Sequence, residues 1–564
     1  MNQFLNKINR YNPNKVIFIS LIIWFILNLL QAGLSELAHD EAYYWMYSKN
    51  LAWGYFDHPP VIAVMIKLGY FLFKNEFGVR LMSCILSVLS VFIIYKLTDT
   101  AQKSTLVFVL LIFSIAIGQT HAFGFLAIPD NPIVFFSALF LLILKRYLEE
   151  DSWLTALFLS LIAALMLYSK YHAVLVFLFS IIPNFHLFKR KSFYVIPVLT
   201  SVLLLPHLFW QIRNGFPTFE YHLVSRASAY TPLHTWNYLY SQFLIVGPFV
   251  TIPLFYHAFK AKIETAFERT LKFVFIGFFV FFFLMSFRGH IEAHWTAIAI
   301  IPLIILAYKS ISESENAKKW IVRLSIPSIV FIIFVRLVLA FPILPPNVST
   351  VKEFHNWKKW AKEIQKLADG RKVVFTNSFQ RPAKYSFYTG EISHSNNNLR
   401  YRKNQYDIWN YEDSLTNAPV IIFNGEHSRN KILTATQELY TYDTLGAFVD
   451  YNHYKIISDK KKVILGPNKM FIVKVDIKNT RPDVKFNNPD SLTTFLSAVM
   501  VDAHKLYPVQ ELKKLSMPLN HNENQYVLSI KSPPFIGEYQ CYISLHNEKT
   551  FPGFNSIPMK IIVK

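Results

Sequence analysis

Up to about residue 345 the chain is a succession of apolar runs long enough to cross a lipid bilayer, and this limits the fold more than any other feature. Hydrocarbon about 30 Å thick takes roughly 20 residues of helix. Backbone N–H and C=O groups must find partners within the segment there, so each run is expected to be helical. Eleven candidates lie at roughly 16–33, 79–95, 104–120, 132–144, 153–168, 171–188, 193–210, 241–259, 273–287, 294–308 and 320–342. The shorter ones borrow flanking residues. Val16–Leu30 follows a basic start, as in a signal peptide, but no small-residue cleavage site follows and ten more runs do. It reads as a retained anchor.

Lys and Arg orient the spans, because cytoplasmic loops are enriched in them. With the N-terminus inside, the inner segments 1–16, 96–104, 145–152, 189–192, 260–272 and 309–320 hold 17 Lys/Arg in 62 residues. The outer segments 34–78, 119–131, 168–172, 211–240 and 288–294 hold 7 in 100. An odd number of spans then carries the C-terminal part to the outer side. Within the longest outer segment, Val61–Phe73 is semi-apolar and is read as an interfacial helix, with a re-entrant segment as the alternative. The formal charge of +21 is explained by these basic flanks. No zinc-finger spacing, RNA-binding signature or basic stripe accompanies it, so a nucleic-acid partner is not expected. Two cysteines, Cys84 in an apolar run and Cys541 near the end, make no disulfide framework.

Pro342-Ile343-Leu344-Pro345-Pro346 stops the last span and opens a water-facing tail. The domain division read from this is 1–344 for the membrane body, 345–450 for an α/β region and 451–564 for a β-rich region. Helical periodicity over 352–368 and short apolar strands at Lys372–Thr376 and Val420–Phe423 support the α/β region. Strands at Lys462–Val475, Gln525–Ile530 and Glu538–Leu545 point to a small β-sandwich at the end.

Chemistry-bearing residues gather in the outer segments. The first holds His39-Asp40-Glu41-Ala42-Tyr43-Tyr44-Trp45 and Trp53-Gly54-Tyr55-Phe56-Asp57-His58-Pro59-Pro60. A carboxylate here can accept a proton from an attacking hydroxyl or ligate a divalent cation; the competing reading is solvated charge beside interfacial aromatics. Asp130, before Pro132, either serves such a site or caps the next helix. Lys170 and His172 stand in Tyr168-Ser169-Lys170-Tyr171-His172, a polar break between two apolar runs; Lys170 breaks the positive-inside bias, which a phosphate ligand would explain, and snorkelling is the alternative. Arg288, His290, Glu292 and His294 fall within seven residues, where Arg288 suits phosphate oxygens and the others a cation or one another. All these clusters lie on one face by a topology derived without them.

These motifs resemble those of the membrane glycosyltransferases that include the dolichyl-phosphate-mannose-protein mannosyltransferases and the bacterial aminoarabinose transferases acting on lipid A. The resemblance rests on His39–Tyr44, Tyr55–Pro60, Pro129-Asp130, Ser169–His172 and Arg288–Trp295, and spans roughly residues 15 to 340. Arg402-Lys403-Asn404-Gln405-Tyr406-Asp407 is similar, less specifically, to bacterial members with a soluble extension. What the resemblance implies is a polytopic α-helical membrane protein of GT-C fold with a C-terminal extracytoplasmic α/β plus β-rich domain, in a bacterial cytoplasmic membrane. Such enzymes transfer a sugar, with inversion, from a polyprenyl-phosphate carrier to a glycolipid, glycan or protein acceptor. By the same resemblance Asp40 is the catalytic base, while Glu41 and Asp130 shape the site or hold acceptor and cation. Lys170, His172, Arg288 and Tyr55 are the expected contacts to the lipid phosphate. Asp57 and His58 replace a Glu-Lys pair before Pro-Pro, which removes a lysine and shifts the carrier contact to Lys170 or Arg288. Asp57, His58 and His294 are the candidate ligands for a divalent metal (Mg, Mn or Zn). A monomer is expected. The rival class, a lipid or glycan transporter, predicts ionisable residues deep in the spans and paired broken helices.

Overall fold

The computed structural model describes residues 8, 10–98, 103–222, 230–345, 348–409, 411–426, 428, 430–481, 490–502, 505–515 and 524–564. The chain forms two compact units, Met1–His355 and Asn356–Lys564. Parts of the expected loop segments, 99–102 and 223–229 among them, lie outside the described residues.

The first unit is helical. It opens with α1 (Pro13–Leu34), α2 (His39–Lys49), α3 (Val61–Leu72) and α4 (Glu76–Leu97). Next come α5 (Ser104–Ser114) and α6 (Gly118–Phe125), bent by 80°. Then follow α7 (Asp130–Glu149), α8 (Trp153–Ser169) and α9 (Ala173–Ile181), the last extended by 3-10 turns to Lys189. A second bent pair is α10 (Val195–Leu203) with α11 (Leu205–Arg213), at 41°. A third is α12 (Pro232–Val246) with α13 (Thr251–Lys260), at 90°. The unit continues with α14 (Ala266–Met285), a 3-10 run Ala293–Ala299 leading into α15 (Ile300–Ser312), and α16 (Glu315–Ala340). All eleven expected runs are helical. Among the described residues five helices are long and apolar enough to cross a membrane, or up to eight if each bent pair is one span. The rest are shorter, or, like α14, carry charge near the start.

The 90° bend needs Gly247, whose φ is +131° and whose added Cβ would lie 2.7 Å from the Ala116 carbonyl oxygen. On α1, Phe18, Ile23 and Leu30 point outward and are exposed, which suits lipid rather than water. The semi-apolar stretch Val61–Phe73 forms helix α3. It buries Ile62, Ala63 and Ile66 and leaves Val64, Leu68, Phe71 and Leu72 outside. The segment 34–78 holds a second helix, α2, where sequence reading found only loop. Its first turn carries Asp40 and Glu41 and its last Lys49, the charge order that favours a helix. The Glu41 carboxylate turns back to accept the Ala38 N–H at 2.8 Å.

Side-chain contacts sort the helix ends into two groups. At one end Asp130 meets Lys170 and His294, and Glu41 meets Arg80 and Ala127. At the other, Lys309 holds Glu264 and Glu268, and Arg190 caps the Leu148 carbonyl. The starts of α7, α9 and the 293–312 helix and the end of α8 thus share one end, as alternating spans require. Arg336, one turn from the end of α16, joins the first group. It donates to His121 Nδ1 at 2.9 Å and Asn28 Oδ1 at 2.6 Å.

At the first end the packing is fastened by a fully buried ion pair. Arg80 Nε and Nη2 donate to the two Glu41 oxygens at 2.7 and 2.6 Å. Arg80 also reaches the carbonyls of Ala32, Ser35 and Glu36, and Glu41 Oε1 accepts the Ala127 N–H at 2.8 Å. Both oxygens of Glu41 are therefore engaged by backbone as well as by arginine.

The second unit contains α17 (Trp357–Ala368) and α18 (Gln380–Thr389) against a mixed sheet of β1 (Lys372–Thr376), β2 (His394–Asn396), β3 (Val420–Phe423), β4 (Asn430–Leu433) and β5 (Leu439–Leu445), in the order β2-β1-β3-β5-β4. Trp360, Ile364, Phe375 and Phe423 fill the space between. Beyond it are β6 (Tyr454–Ser458), β7 (Lys462–Leu465), β8 (Met470–Asn479), β9 (Thr494–Val501), β10 (Gln510–Leu515), β11 (Gln525–Lys531), β12 (Gly537–Asn547) and β13 (Met559–Val563). They make two sheets, β10-β9-β12-β13-β7 and β11-β8-β6, that share the core of Val473, Leu496, Leu528, Cys541 and Ile561. The single strand expected over Lys462–Val475 is two strands in different sheets, because Gly466-Pro467-Asn468 turns the chain, with Asn468 at φ +55°. Cys84 and Cys541 are both buried free thiols.

Removing one partner of a buried ion pair strands the other, at about 3–5 kcal/mol. Glu41→Ala is expected to lower the thermal midpoint of the detergent-purified protein sharply or to abolish its monodisperse peak. Arg80→Met with Glu41→Leu is expected to recover part of that loss; a Glu41→Ala protein as stable as wild type would show that the pair does not hold this end together.

Candidate active site

Asp40 and Glu41 are neighbours in sequence and part company in the helix, since successive residues turn by about 100°. Glu41 faces inward onto Arg80, whereas Asp40 is exposed in the first turn of α2. Tyr44, one turn further on the same face, is buried beneath it. Burial, and then the charges of Asp40, Asp57 and Asp130, hold the Tyr44 hydroxyl well above its ordinary pKa. One buried phenol therefore marks the place where three carboxylates from three segments converge.

The segment 51–60 is folded tightly against α2. The Tyr47 hydroxyl donates to Asp57 Oδ1, and the Tyr47 and Tyr55 rings stack at 4.1 Å. His58 lies edge-on to Tyr44 at 5.4 Å. Gly54 lets this segment meet α11: an added Cβ would stand 2.5 Å from Trp210 and 2.9 Å from His207.

Asp130 opens α7, where the helix N-terminus favours its negative charge. Lys170 Nζ, at the end of α8, donates to Asp130 Oδ1 at 2.7 Å, and both side chains are buried. His294 Nε2, on the turn before α15, stands 3.7 Å from Asp130 Oδ2. His172 sits at the start of α9 with its ring 5.1 Å from Trp295 and 5.2 Å from Phe282. Its Nδ1 is buried without a hydrogen-bond partner among the described residues. Burial, Lys170 and His222 hold both His58 and His172 well below the ordinary 6.5, so both are neutral near pH 7.

The structure thus brings together Asp40, Asp57, His58, Asp130, Lys170, His172 and His294. It gives other parts to two expected residues, Tyr55 and Glu41. Tyr55 is fully buried, and its hydroxyl shares its one proton between the carbonyls of Tyr47 and Asn50 and accepts the Ala52 N–H, so it closes the 50–55 turn instead of meeting phosphate. Glu41 shapes the site through Arg80 and Ala127 and offers no oxygen to a ligand. Arg288 is exposed just past α14, and its side chain has no hydrogen bond or ion pair among the described residues; His290 pairs with Glu292 at 3.5 Å. The metal set is not assembled either: among the described residues no three His, Cys, Asp or Glu side chains could hold one ion. Asp57 is turned to Tyr47, and His294 to Asp130. In the second unit Asn404 and Asp407, within the 402–407 motif, cap a short turn through each other's backbone.

One participant escaped sequence reading. Arg80 lay inside an apolar run, yet an arginine in a span is itself a signal of a buried partner. Tyr171 bonds His207 Nε2 at 2.9 Å, His207 Nδ1 meets the Trp53 carbonyl at 2.6 Å, and Gln211 joins Thr218 at 2.6 Å. This network fixes the wall between α8, α11 and the 51–60 segment.

Residues 57–210 match the family described as dolichyl-phosphate-mannose-protein mannosyltransferase. That stretch includes Asp57, His58, Asp130, Lys170 and His172, while Asp40 and Glu41 precede it. The fold is similar to that of ArnT from Cupriavidus metallidurans in the apo state, with a TM-score of 0.57 at 11% identity over 76% of this chain and 97% of that one. The structure of the same protein bound to undecaprenyl phosphate gives 0.54 at 13% identity, with the same coverage. The membrane unit has the GT-C fold. No curated protein matches the chain by sequence. In this GT-C body the clustered side chains sit at one set of helix ends, in a multi-pass membrane protein.

Two outcomes test the cluster. Lys170→Met and Asp130→Asn each leave a buried partner without its counterpart, and each is expected to cost about 3–5 kcal/mol. The double variant should be less destabilised than the singles summed; simple additivity in thermal midpoints would remove the pair from the account. For pH the sign follows from His58 and His172. The unfolded chain binds their protons below about 6.5 and the folded protein does not. Their contribution is intact above that value and is lost as pH falls through it. The thermal midpoint is expected to drop between pH 7.5 and 5.5, and the drop to shrink in a His58→Gln/His172→Gln protein.

Proposed function

We propose that the chain is an inverting glycosyltransferase that moves a sugar from a polyprenyl-phosphate carrier to a hydroxyl on an extracytoplasmic glycolipid, glycan or protein, in a bacterial cytoplasmic membrane. The observation that carries the reading is one exposed carboxylate, Asp40, above the buried Tyr44, which also lies in the field of Asp130, the acid held by the buried Lys170 at 2.7 Å and faced by the half-buried His294 at 3.7 Å. The match of residues 57–210 to a mannosyltransferase family supports it, as does the shared fold with a protein described in complex with undecaprenyl phosphate.

In this mechanism Asp40 accepts the proton of the acceptor hydroxyl as that oxygen attacks the anomeric carbon. The bond between the anomeric carbon and the phosphate oxygen breaks, its electron pair stays with the phosphate, and the configuration inverts. One carboxylate suffices, because no sugar becomes attached to the protein. Asp130 takes one of the three N–H groups of Lys170, and the others remain for the departing phosphate. The carrier's tail stays in the lipid, against the Phe-rich helices.

The transporter reading draws on the three bent helix pairs and on Arg336. Arg336 lies one turn from a helix end and is locked on His121 and Asn28, tying α16 to α1 and α6 in place of lining a path.

The test uses purified protein reconstituted with radiolabelled polyprenyl-phosphate sugars and a native envelope extract. Wild type is expected to release free polyprenyl phosphate and form a labelled product. Folded Asp40→Asn should be slower by about 10²–10⁴-fold, the usual worth of a positioned base. Undiminished transfer by that variant would end the assignment of Asp40; folded wild type inert toward every donor would favour transport.

A further inference from the structure

At the end of the membrane unit remote from Asp130, α13 and the first half of α16 stand apart and leave an open groove of about 390 Å³. Its walls are Ile252, Tyr256, His257, Trp320, Ile321 and Leu324, with Pro253 and Ala317 beside them. Ile252, Tyr256 and Trp320 are 70%, 57% and 59% exposed, which in water would be an apolar patch without cover. The two aromatic rims each carry a cation: Lys260 Nζ stands 5.6 Å from the Tyr256 ring and Arg323 Cζ 5.5 Å from that of Trp320.

These two cations are not neutralised from within. Of the acids on these helices and the turns beside them, Glu264 and Glu268 are held by Lys309 and Glu315 by Lys318. Glu313 remains, against Lys260, Lys262, Lys319 and Arg323. Neither Lys260 nor Arg323 has an ion-pair partner among the described residues, and both are exposed. An apolar trough between two membrane helices, with aromatic rims and uncompensated positive charge at its mouth, has the chemistry of a phosphate head on an acyl tail. The Lys/Arg bias assigns this end to the cytoplasmic leaflet, away from the site where the sugar carrier is proposed to react.

We infer that this groove binds an anionic glycerophospholipid of the cytoplasmic leaflet, its phosphate between Lys260 and Arg323 and one acyl chain along Ile252, Ile321 and Leu324. The lipid fills the space that the 90° turn at Gly247 opens by swinging α13 away from α12. It braces α13 against α16, and its binding is independent of the sugar-transfer reading.

The test is native mass spectrometry of the delipidated full-length protein titrated with phosphatidylglycerol or phosphatidylcholine, with thermal midpoints read in parallel. Wild type is expected to retain one phosphatidylglycerol at a concentration at least tenfold below that needed for phosphatidylcholine, and to gain thermal stability from it. Lys260→Ala/Arg323→Ala should abolish the preference. Leu324→Trp, which fills the trough and keeps both charges, should abolish retention of either lipid. Equal retention of the two lipids by wild type, or unchanged phosphatidylglycerol retention in both variants, would overturn the site. Displacement of phosphatidylglycerol by an equal concentration of undecaprenyl phosphate would overturn the lipid class.

Discussion

The site end of the membrane unit hangs on the contact between Glu41 and Arg80. The guanidinium collects three carbonyls from the end of α1 and its following turn and two carboxylate oxygens from α2. Through Glu41 it also fixes the N–H of Ala127, three residues before Asp130. Such a pair adds little net stability, because two charges have been taken out of water. What it supplies is uniqueness. With either partner missing, no neutral arrangement satisfies the remaining charge, so α1, α2, α4 and the approach to α7 are held to one mutual geometry.

That geometry divides the labour of an acidic pair. A helix turns Asp40 and Glu41 apart, and the same rotation that buries one against arginine presents the other outward, above Tyr44. The structural carboxylate is saturated with donors. The other is exposed in the first turn of α2. On the proposed mechanism the base is held in place by its neighbour, and the loss of Glu41 is felt at Asp40.

Much of this was legible because membranes simplify sequence. Hydropathy found the apolar helical runs but not α2, and the Lys/Arg bias grouped Asp40, Asp130, Lys170 and His294 on one face before any contact was known. What it left out is what depends on pairing across the chain. Arg80 looks like an intruder in the run 79–95 until Glu41, 39 positions earlier, is placed beside it. Tyr55 reads as an available phenol until the 50–55 turn closes on its hydroxyl. The supposed ligands Asp57, His58 and His294 share a face of the membrane, but each side chain is claimed by a different neighbour: Tyr47, Tyr44 and Asp130. In the second unit the alternation over Lys462–Val475 is genuine strand pattern, and only Gly466-Pro467-Asn468 tells that it belongs to two sheets.

The electrostatics of the cluster bear on why His58 and His172 are neutral. Asp130 balances Lys170, so further positive charge on His58 or His172 would meet Lys170 and the neighbouring imidazoles in a space that burial already makes unfavourable to ions. A phosphate reverses that balance. Negative charge brought beside Lys170 makes protonation of the nearby imidazoles favourable, and charge that builds on the leaving oxygen deepens the effect. By themselves these side chains are thus spared the cost of an unpaired cation cluster. On the proposed reading, its positive charge is completed by the substrate, at the moment when the sugar–phosphate bond breaks and needs it.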